Sequence, residues 1–389
     1  MLAIRDPLHH TFNLLGSSMK KILVAMSGGV DSSVTAAMMV DAGYDVTGIT
    51  MRLGAPDAIE VDPERPNCCS LEGIEDARRV ATQLGIPFYG VNYEDAFREQ
   101  IIDYFVEEYL VGRTPSPCMV CNRELKFGRL LDLAKTLECD AIATGHYARV
   151  EQDPETGRYL LRKALDVSKD QSYFLAALTQ AQLQCAMMPL GEYTKAEVRD
   201  LARKYQLRTA EKIESQELCF VADTNYRRFL KDRVPEKIEG GAIVDEKGKV
   251  LGKHDGVPFY TVGQRRGLGI AVGKPLYVTQ LNAIEKTVVV GESDALFEDT
   301  MHVERINLIA IGKLTEPIRA HVKIRSRDDG GPATITPISD TEAVVKFDEP
   351  RRAITPGQAT VFYDGEYVLG GGWIVDARDP TVGGVCNPE

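Results

Sequence analysis

No apolar run in this 389-residue sequence approaches the roughly 18–20 residues that a membrane helix needs, so a helical span is excluded. The first 18 residues lack the basic start and continuous apolar stretch of a secretory signal. With Met19-Lys20-Lys21 standing directly before the first strong strand, they read as an extension outside the fold. Internal repeats and low-complexity tracts are missing as well. So is an excess of positive charge: 46 Lys and Arg face 57 Asp and Glu, and a net charge of −11 argues against a protein that coats nucleic acid nonspecifically. Local basic faces remain open, because basic residues cluster at Arg227-Arg228-Lys231, Arg265-Arg266, Lys323-Arg325-Arg327 and Arg351-Arg352. The hydrophobic fraction of 44% is that of an ordinary globular chain, long enough for two or three cores. Cysteines stand at 68, 69, 118, 121, 139, 185, 219 and 386, and in a large chain without a secretory signal they read as reduced, cytosolic thiols.

The first half alternates strands and helices. Lys20–Met26 reads as a buried strand, Asp31–Ala42 as a helix capped by Gly43, and Val46–Met51 as a second strand. Gly73–Leu84, Asp95–Leu110 and Leu125–Leu137 read as helices, with strands at Ile86–Val91 and Asp140–Ala143. This pattern predicts parallel βαβ units and a doubly wound α/β domain. Thr194 and Glu197 form a capping box that starts a helix running to about Tyr205, and a short basic helix is expected near Tyr226–Arg233. From Gly241 onward, short alternating runs are separated by turn residues, which predicts two small antiparallel β modules with a break near Gly291–Asp299.

Ser27-Gly28-Gly29-Val30-Asp31-Ser32-Ser33 lies between the first strand and its helix. Two glycines let backbone N–H groups approach an anion, and the helix N-terminus adds unpaired donors and a favourable dipole. The three serines offer hydroxyls, and Asp31 is a candidate Mg²⁺ ligand. No Gly-Lys-Ser/Thr follows, so this is not the loop of kinase-type ATPases. It resembles the PP-loop of the ATP pyrophosphatase superfamily, which grips pyrophosphate and makes adenylated intermediates.

Cys121 precedes the helix expected from near Arg123, with Arg113, Arg123 and Lys126 close in sequence, so its thiolate is expected to be favoured. Cys219 follows about 100 residues later, on a loop or short strand at the end of the α/β domain. Three readings fit these residues: two catalytic thiols, a metal site built on Cys118-x-x-Cys121 with Cys68-Cys69, or buried structural thiols. Cys139, Cys185 and Cys386 read as structural. His146 reads equally as a base or a structural histidine, and Asp170 as a polar-site residue.

The chain closely resembles the tRNA-specific 2-thiouridylase (MnmA/TrmU) family from Met19 to near Trp373. The motifs that carry the resemblance are SGGVDSS, GRTPSPCMVCN at Gly112–Asn122, ATGHY at Ala143–Tyr147, KDQSYFL at Lys169–Leu175, ELCFV at Glu217–Val221, TVGQRRGLGI at Thr261–Ile270 and TPGQATVFY at Thr355–Tyr363. The resemblance implies a PP-loop catalytic domain at 19–222 after the extension 1–18, a central β adaptor at 223–292 and a C-terminal β-barrel at 293–389. It implies thiolation of the wobble uridine in tRNAs for Lys, Glu and Gln, with ATP and Mg²⁺.

Residue by residue, Cys121 matches the nucleophile and Cys219 the persulfide carrier. Ala25, Met26, Ser27, Gly28, Gly29, Val30, Asp31, Ser32, Met51 and Gly145 match nucleotide-binding positions. Ser116, Pro117 and Cys118 match the target-base segment, and Lys169, Asp170, Gln171, Arg325 and Ser326 match tRNA contacts. Sulfur is expected from a cysteine desulfurase or a sulfur-relay protein, and the turnover would leave a Cys121–Cys219 disulfide for a reductant to open. Cys118 stands where many members carry aspartate, and Ser326 where a tyrosine is frequent. The extra thiols add a possible [4Fe–4S] cluster on Cys118, Cys121 and Cys219.

Overall fold

The structure is a computed structural model that describes residues 20–54, 71–212, 218–221, 225–270 and 272–376. Cys68, Cys69, Gln216, Glu217, Cys386 and the extension 1–18 lie outside the described residues. The chain divides into two compact units. The first comprises residues up to Gln100, Cys118–Thr224 and Glu366–Val368; the second comprises Ile101–Pro117, Asn225–Gly365 and the residues from Leu369 on.

The first unit is built on a parallel sheet of β1 (Lys21–Ala25), β2 (Asp45–Arg52), β3 (Phe88–Asn92), β4 (Ala141–Ala143) and β7 (Ala186–Met187) in the order β3-β2-β1-β4-β7. Ile22, Leu23 and Val24 are all fully buried, as a strand covered on both faces requires. β1 pairs with β2 on one side and β4 on the other. The chain therefore reverses its winding direction at β1, and the loops after β1 and β4 flank the resulting crevice, where doubly wound sheets bind ligands. Helix α1 (Val30–Asp41) follows β1 directly and packs its buried Val34, Ala37 and Met38 into the same core. A hairpin of β5 (Ala148–Gln152) and β6 (Tyr159–Lys163), not anticipated from sequence, is tied by Arg149 and Arg162 to Glu366.

The second unit holds two β modules. β8 (Gly241–Asp245), β9 (Val250–His254), β10 (Tyr277–Asn282) and β11 (Thr287–Gly291) form a sheet in the order β10-β11-β8-β9. Its two outer pairings are antiparallel, whereas β11 and β8 run parallel, the chain between β9 and β10 passing from one edge of the sheet to the other. β12 (Phe297–Leu308), β13 (Ile318–Lys323), β14 (Gly331–Pro337), β15 (Ala343–Arg352), β16 (Ala359–Asp364) and β17 (Tyr367–Asp376) make a six-stranded antiparallel barrel. β12 pairs with both β15 and β17, which closes it and leaves no edge. In β14 every second residue is buried, so Ala333 and Ile335 enter a core with Met301, Val322, Val345, Phe347 and Phe362. Among the described residues no helix is long and apolar enough to cross a membrane.

The chain's one tryptophan, Trp373, is buried in β17 and reports on the barrel alone. Phe362→Ala removes a ring that is 1% exposed in that core. It is expected to cost about 3–5 kcal/mol and to lower the urea midpoint followed by Trp373 fluorescence. An unchanged midpoint would contradict the packing described.

Candidate functional site

The loop after β1 is shaped by crowding. Gly28 has φ +76°, and a Cβ there would lie 2.0 Å from the Gly73 carbonyl oxygen. Gly29 caps α1 in an extended conformation, so the first-turn N–H groups open toward the crevice. Ala25, Met26 and Val30 turn their side chains inward, Met26 and Val30 being buried, and offer a ligand only their backbone. The serines serve the loop itself. The Ser27 N–H donates to Ser32 Oγ at 3.1 Å, and the Ser33 hydroxyl donates to the Gly29 carbonyl at 2.8 Å. Ser32 and Ser33 are 5% and 1% exposed, so the expectation of three hydroxyls offered to a ligand gives way to a loop pinned by two of them. Met51 lies at the end of β2, beside the core under β1.

Gly145 follows β4, and a Cβ on it would lie 2.9 Å from both the Asp31 carbonyl carbon and the Ser32 nitrogen. This position therefore seats the start of α1 and admits only glycine without displacement of the loop.

Asp31 is held by two residues from later in the chain. Tyr147 donates its hydroxyl to Oδ1 at 2.8 Å, and Lys195 Nζ lies 2.7 and 2.9 Å from the two carboxylate oxygens. Lys195 is 12% exposed and opens the helix Lys195–Lys204, whose capping box of Thr194 and Glu197 is present as expected. Sequence reasoning missed Lys195. The available signal was a lysine in a first helical turn, where the dipole disfavours cations and another role is implied. Both oxygens of Asp31 are thus engaged, and Lys195 brings positive charge to the loop. Among the described residues no three His, Cys, Asp or Glu side chains gather as a metal site.

The thiols sit differently from the sequence expectation. The helix begins at Pro117, so Cys121 is the fifth residue of Pro117–Cys121 rather than a residue ahead of the N-terminus, and a π-type stretch Asn122–Arg129 continues from it. Gly128 permits that winding, since a Cβ there would meet the Arg123 carbonyl at 2.9 Å. Cys121 keeps a solvent-facing edge but its sulfur is enclosed by protein atoms. Burial pushes its thiol up to about 12, Lys126 draws it back, and Cys219 and Cys118 lie near enough to raise it further. The favoured thiolate is thus overturned: desolvation outweighs the nearby lysine.

Cys219 rides on the turn Leu218–Val221, anchored by buried Phe220, whose ring meets Phe97 edge-to-face at 5.8 Å. Cys118 is exposed. His146 is buried, bonded through Nδ1 to Thr144 Oγ1 at 2.7 Å, and held well below the usual imidazole range by burial and by Lys126. It is neutral at pH 7.

In Lys169–Gln171, two of three side chains hold the loop. Asp170 accepts from the Ala164 and Ser172 N–H groups and from the Ser172 hydroxyl at 2.9, 3.2 and 2.8 Å, and Gln171 Oε1 accepts from the Tyr147 N–H at 2.9 Å. In the second unit, Arg325 is exposed and donates Nη2 to the Arg352 carbonyl at 2.6 Å, with Ser326 beside it. Ser116 and Pro117 end a strap that packs on the barrel.

Three family profiles match in order: a tRNA methyl transferase HUP domain over residues 20–223, a tRNA methyl transferase PRC-barrel domain over 227–292, and an aminomethyltransferase beta-barrel domain over 298–374. The chain is 50% identical over 355 residues to the tRNA-specific 2-thiouridylase MnmA of Carboxydothermus hydrogenoformans, covering 91% of this chain and 97% of that one. It is 53% identical over 364 residues to that of Geotalea uraniireducens, covering 92% and 96%. The solved U34-tRNA thiolase NcsA of Methanococcus maripaludis, with its [4Fe-4S] cluster, is 18% identical at a TM-score of 0.36, covering 60% of this chain and 73% of that one; this likeness carries no role across.

The buried thiol has a measurable consequence. In the free protein, alkylation of Cys121 by iodoacetamide is expected to lag behind that of exposed Cys118 at pH 7–8 and to keep rising above pH 10, because the thiol remains protonated below about 12. Peptide mass spectrometry reads both sites. A Cys121 rate that levels off near pH 8 would contradict this environment.

Proposed function

The chain belongs to the tRNA-specific 2-thiouridylase MnmA family, and on that premise we propose that its loop Ser27–Ser33 adenylates the C2 oxygen of the wobble uridine while Cys121 and Cys219 deliver sulfur. The chain is an ATP-using tRNA sulfurtransferase. The carrying observation is that the first unit holds both a phosphate-type loop and Cys121 within electrostatic reach of Cys219. The profile descriptions speak of methyl transfer, yet a pinned phosphate loop and two neighbouring thiols are tools for adenylation and sulfur transfer. We propose domain limits of 19–222, 223–292 and 293–389, with lysine, glutamate and glutamine tRNAs as substrates and a cytosolic location.

A carbonyl oxygen is a poor leaving group; as an adenylate it departs as AMP. The attack of that oxygen on the α-phosphorus breaks the bond to pyrophosphate, whose charge is met by the α1 N-terminus, the loop N–H groups and Lys195. Lys195, bonded to Asp31 in the first turn of α1, is the side chain we assign to that charge. Mg²⁺ would add Lewis-acid assistance when bound with ATP, with Asp31 the candidate side chain to hold it.

A desulfurase or relay protein loads a persulfide on Cys219. Its terminal sulfur attacks C2 and expels AMP; Cys121, losing its proton, then attacks Cys219 Sγ, which frees 2-thiouridine and leaves a Cys121–Cys219 disulfide. In the variant route Cys121 attacks the persulfide first and the released sulfide attacks C2. Both routes oxidise the two cysteines by two electrons, so an external reductant closes the cycle.

Incubation with unmodified glutamate tRNA, Mg-ATP and a persulfide donor is expected to yield 2-thiouridine. Cys121→Ala and Cys219→Ala are each expected to abolish it while keeping tRNA-dependent pyrophosphate release, since AMP transfer precedes sulfur. Lys195→Met is expected to slow pyrophosphate release by about 100-fold or more. Wild-type enzyme that makes no 2-thiouridine, or cysteine variants that make it normally, would sink the proposal.

A further inference from the structure

The barrel segment Thr355–Ala359 grips the strap Arg113–Ser116 by a run of hydrogen bonds within the second unit. The Thr114 N–H donates to the Pro356 carbonyl at 2.8 Å. Gln358 Nε2 donates to the carbonyls of Thr114 and Pro115, each at 3.1 Å, and the Ala359 N–H donates to Ser116 Oγ at 2.9 Å. Between them Gly357 sits at φ +86°, where a Cβ would lie 2.8 Å from Arg113 Cβ and 2.9 Å from Thr114 N and O. The two surfaces are therefore in backbone contact, and the Gln358 amide spans two consecutive carbonyls that a Pro-containing strap cannot satisfy through its own helix or sheet.

The other end of the same barrel segment is equally fixed. The Ala353 N–H donates to the Leu296 carbonyl at 2.8 Å, and the Arg352 guanidinium lies 5.1 Å from the Tyr277 ring centroid. The Arg352 carbonyl takes Arg325 Nη2 at 2.6 Å. The segment Arg352–Ala359 thus runs from a partner of Arg325 to the partners of Ser116, while the chain after Ser116 continues directly into Pro117–Cys121.

We propose that Gln358, with Gly357, is a positioning residue that sets the strap Arg113–Ser116 for the target uridine and links its placement to the Arg325 contact with tRNA. This rests on the reading that Ser116–Cys118 meet the target base. Neither residue touches the reacting atoms; each acts on the strap, so its loss misplaces the base without weakening the hold on ATP or on the body of the tRNA.

The test is single-turnover AMP transfer to unmodified glutamate tRNA at saturating tRNA and ATP, alongside filter binding for tRNA and KM for ATP. Gln358→Met keeps the length and removes both donors. It is expected to slow AMP transfer by about 10- to 100-fold, with tRNA Kd and ATP KM within about twofold of wild type. Gln358→Glu, which turns an oxygen toward two carbonyls, is expected to be slower still, and Gln358→Lys, which restores a donor, to recover most of the rate. Gly357→Ala should show the same split.

A Gln358→Met rate equal to wild type, or a loss confined to tRNA affinity, overturns the proposal. So does a slow rate that Gln358→Lys does not rescue and that accompanies a lowered unfolding midpoint by Trp373 fluorescence, because that is fold damage. Wild-type enzyme that transfers no AMP to the tRNA overturns the underlying reading and this proposal with it, whereas active wild type with an indifferent Gln358→Met overturns the grip alone.

Discussion

Three hydrogen bonds to one carboxylate hold the first unit's site together. Asp31 lies in the first turn of α1, where a negative charge suits the helix dipole but opposes the arrival of a phosphate. Tyr147 and Lys195 resolve that conflict by engaging both oxygens. Because Lys195 is mostly buried, the pair is only weakly screened, and removing either partner would strand a desolvated charge. The same bonds join the segment after β4 and the helix Lys195–Lys204 to the loop after β1. Gly145 then presses on the backbone of Asp31 and Ser32, so the loop has little freedom left before a nucleotide arrives. Such preorganisation lets N–H groups stabilise a departing pyrophosphate without first reorienting.

The buried Cys121 raises a question of rate. A thiol pushed up to about 12 holds far less thiolate at neutral pH than an ordinary cysteine, and the greater nucleophilicity of a more basic thiolate restores only part of that loss. The resting thiol is therefore slower than an ordinary cysteine. That is a disadvantage for an enzyme whose nucleophile acts first and an advantage for one whose nucleophile acts last. If Cys219 carries the persulfide as proposed, a more reactive neighbouring thiol would discharge it before a base was adenylated. Lys126, which pulls in the opposite direction, marks where extra positive potential or loss of burial would release the thiolate.

Much of this was legible in the amino-acid sequence, and the failures have physical causes. The unbroken apolar run of β1 and the capping box at Thr194 are local signals, and local signals survived into the structure. The helix start at Pro117 was also written, as serine followed by proline at a first helical position, but the loop-like Gly112–Pro117 sequence obscured it. Lys195 carried only the weak signal of a lysine in a first helical turn, because its partner is 164 residues away. The parallel pairing of β11 with β8 depends on how a long connection returns, which periodicity does not encode. The raised Cys121 thiol follows from enclosure by residues distant in sequence, whereas the nearby basic residues that suggested a thiolate were the only part visible locally.

The overall charge of −11 bears on how such a protein reads RNA. The net charge opposes nonspecific attraction of RNA, so attraction falls to local basic groups whose charge is not cancelled nearby. In the barrel, Arg351 is paired to Asp328, Arg319 to Asp348 and Lys346 to Asp299. Arg325 instead spends a donor on a neutral carbonyl and keeps its full charge at the surface. Acidic partners thus mask part of the barrel's basic surface, while Arg325 bonds the carbonyl of Arg352, where the segment that leads through Gln358 to the strap begins. If Arg325 and Ser116–Pro117 meet the tRNA as proposed, selectivity rests on engaging both together, a geometric demand that nonspecific RNA does not satisfy.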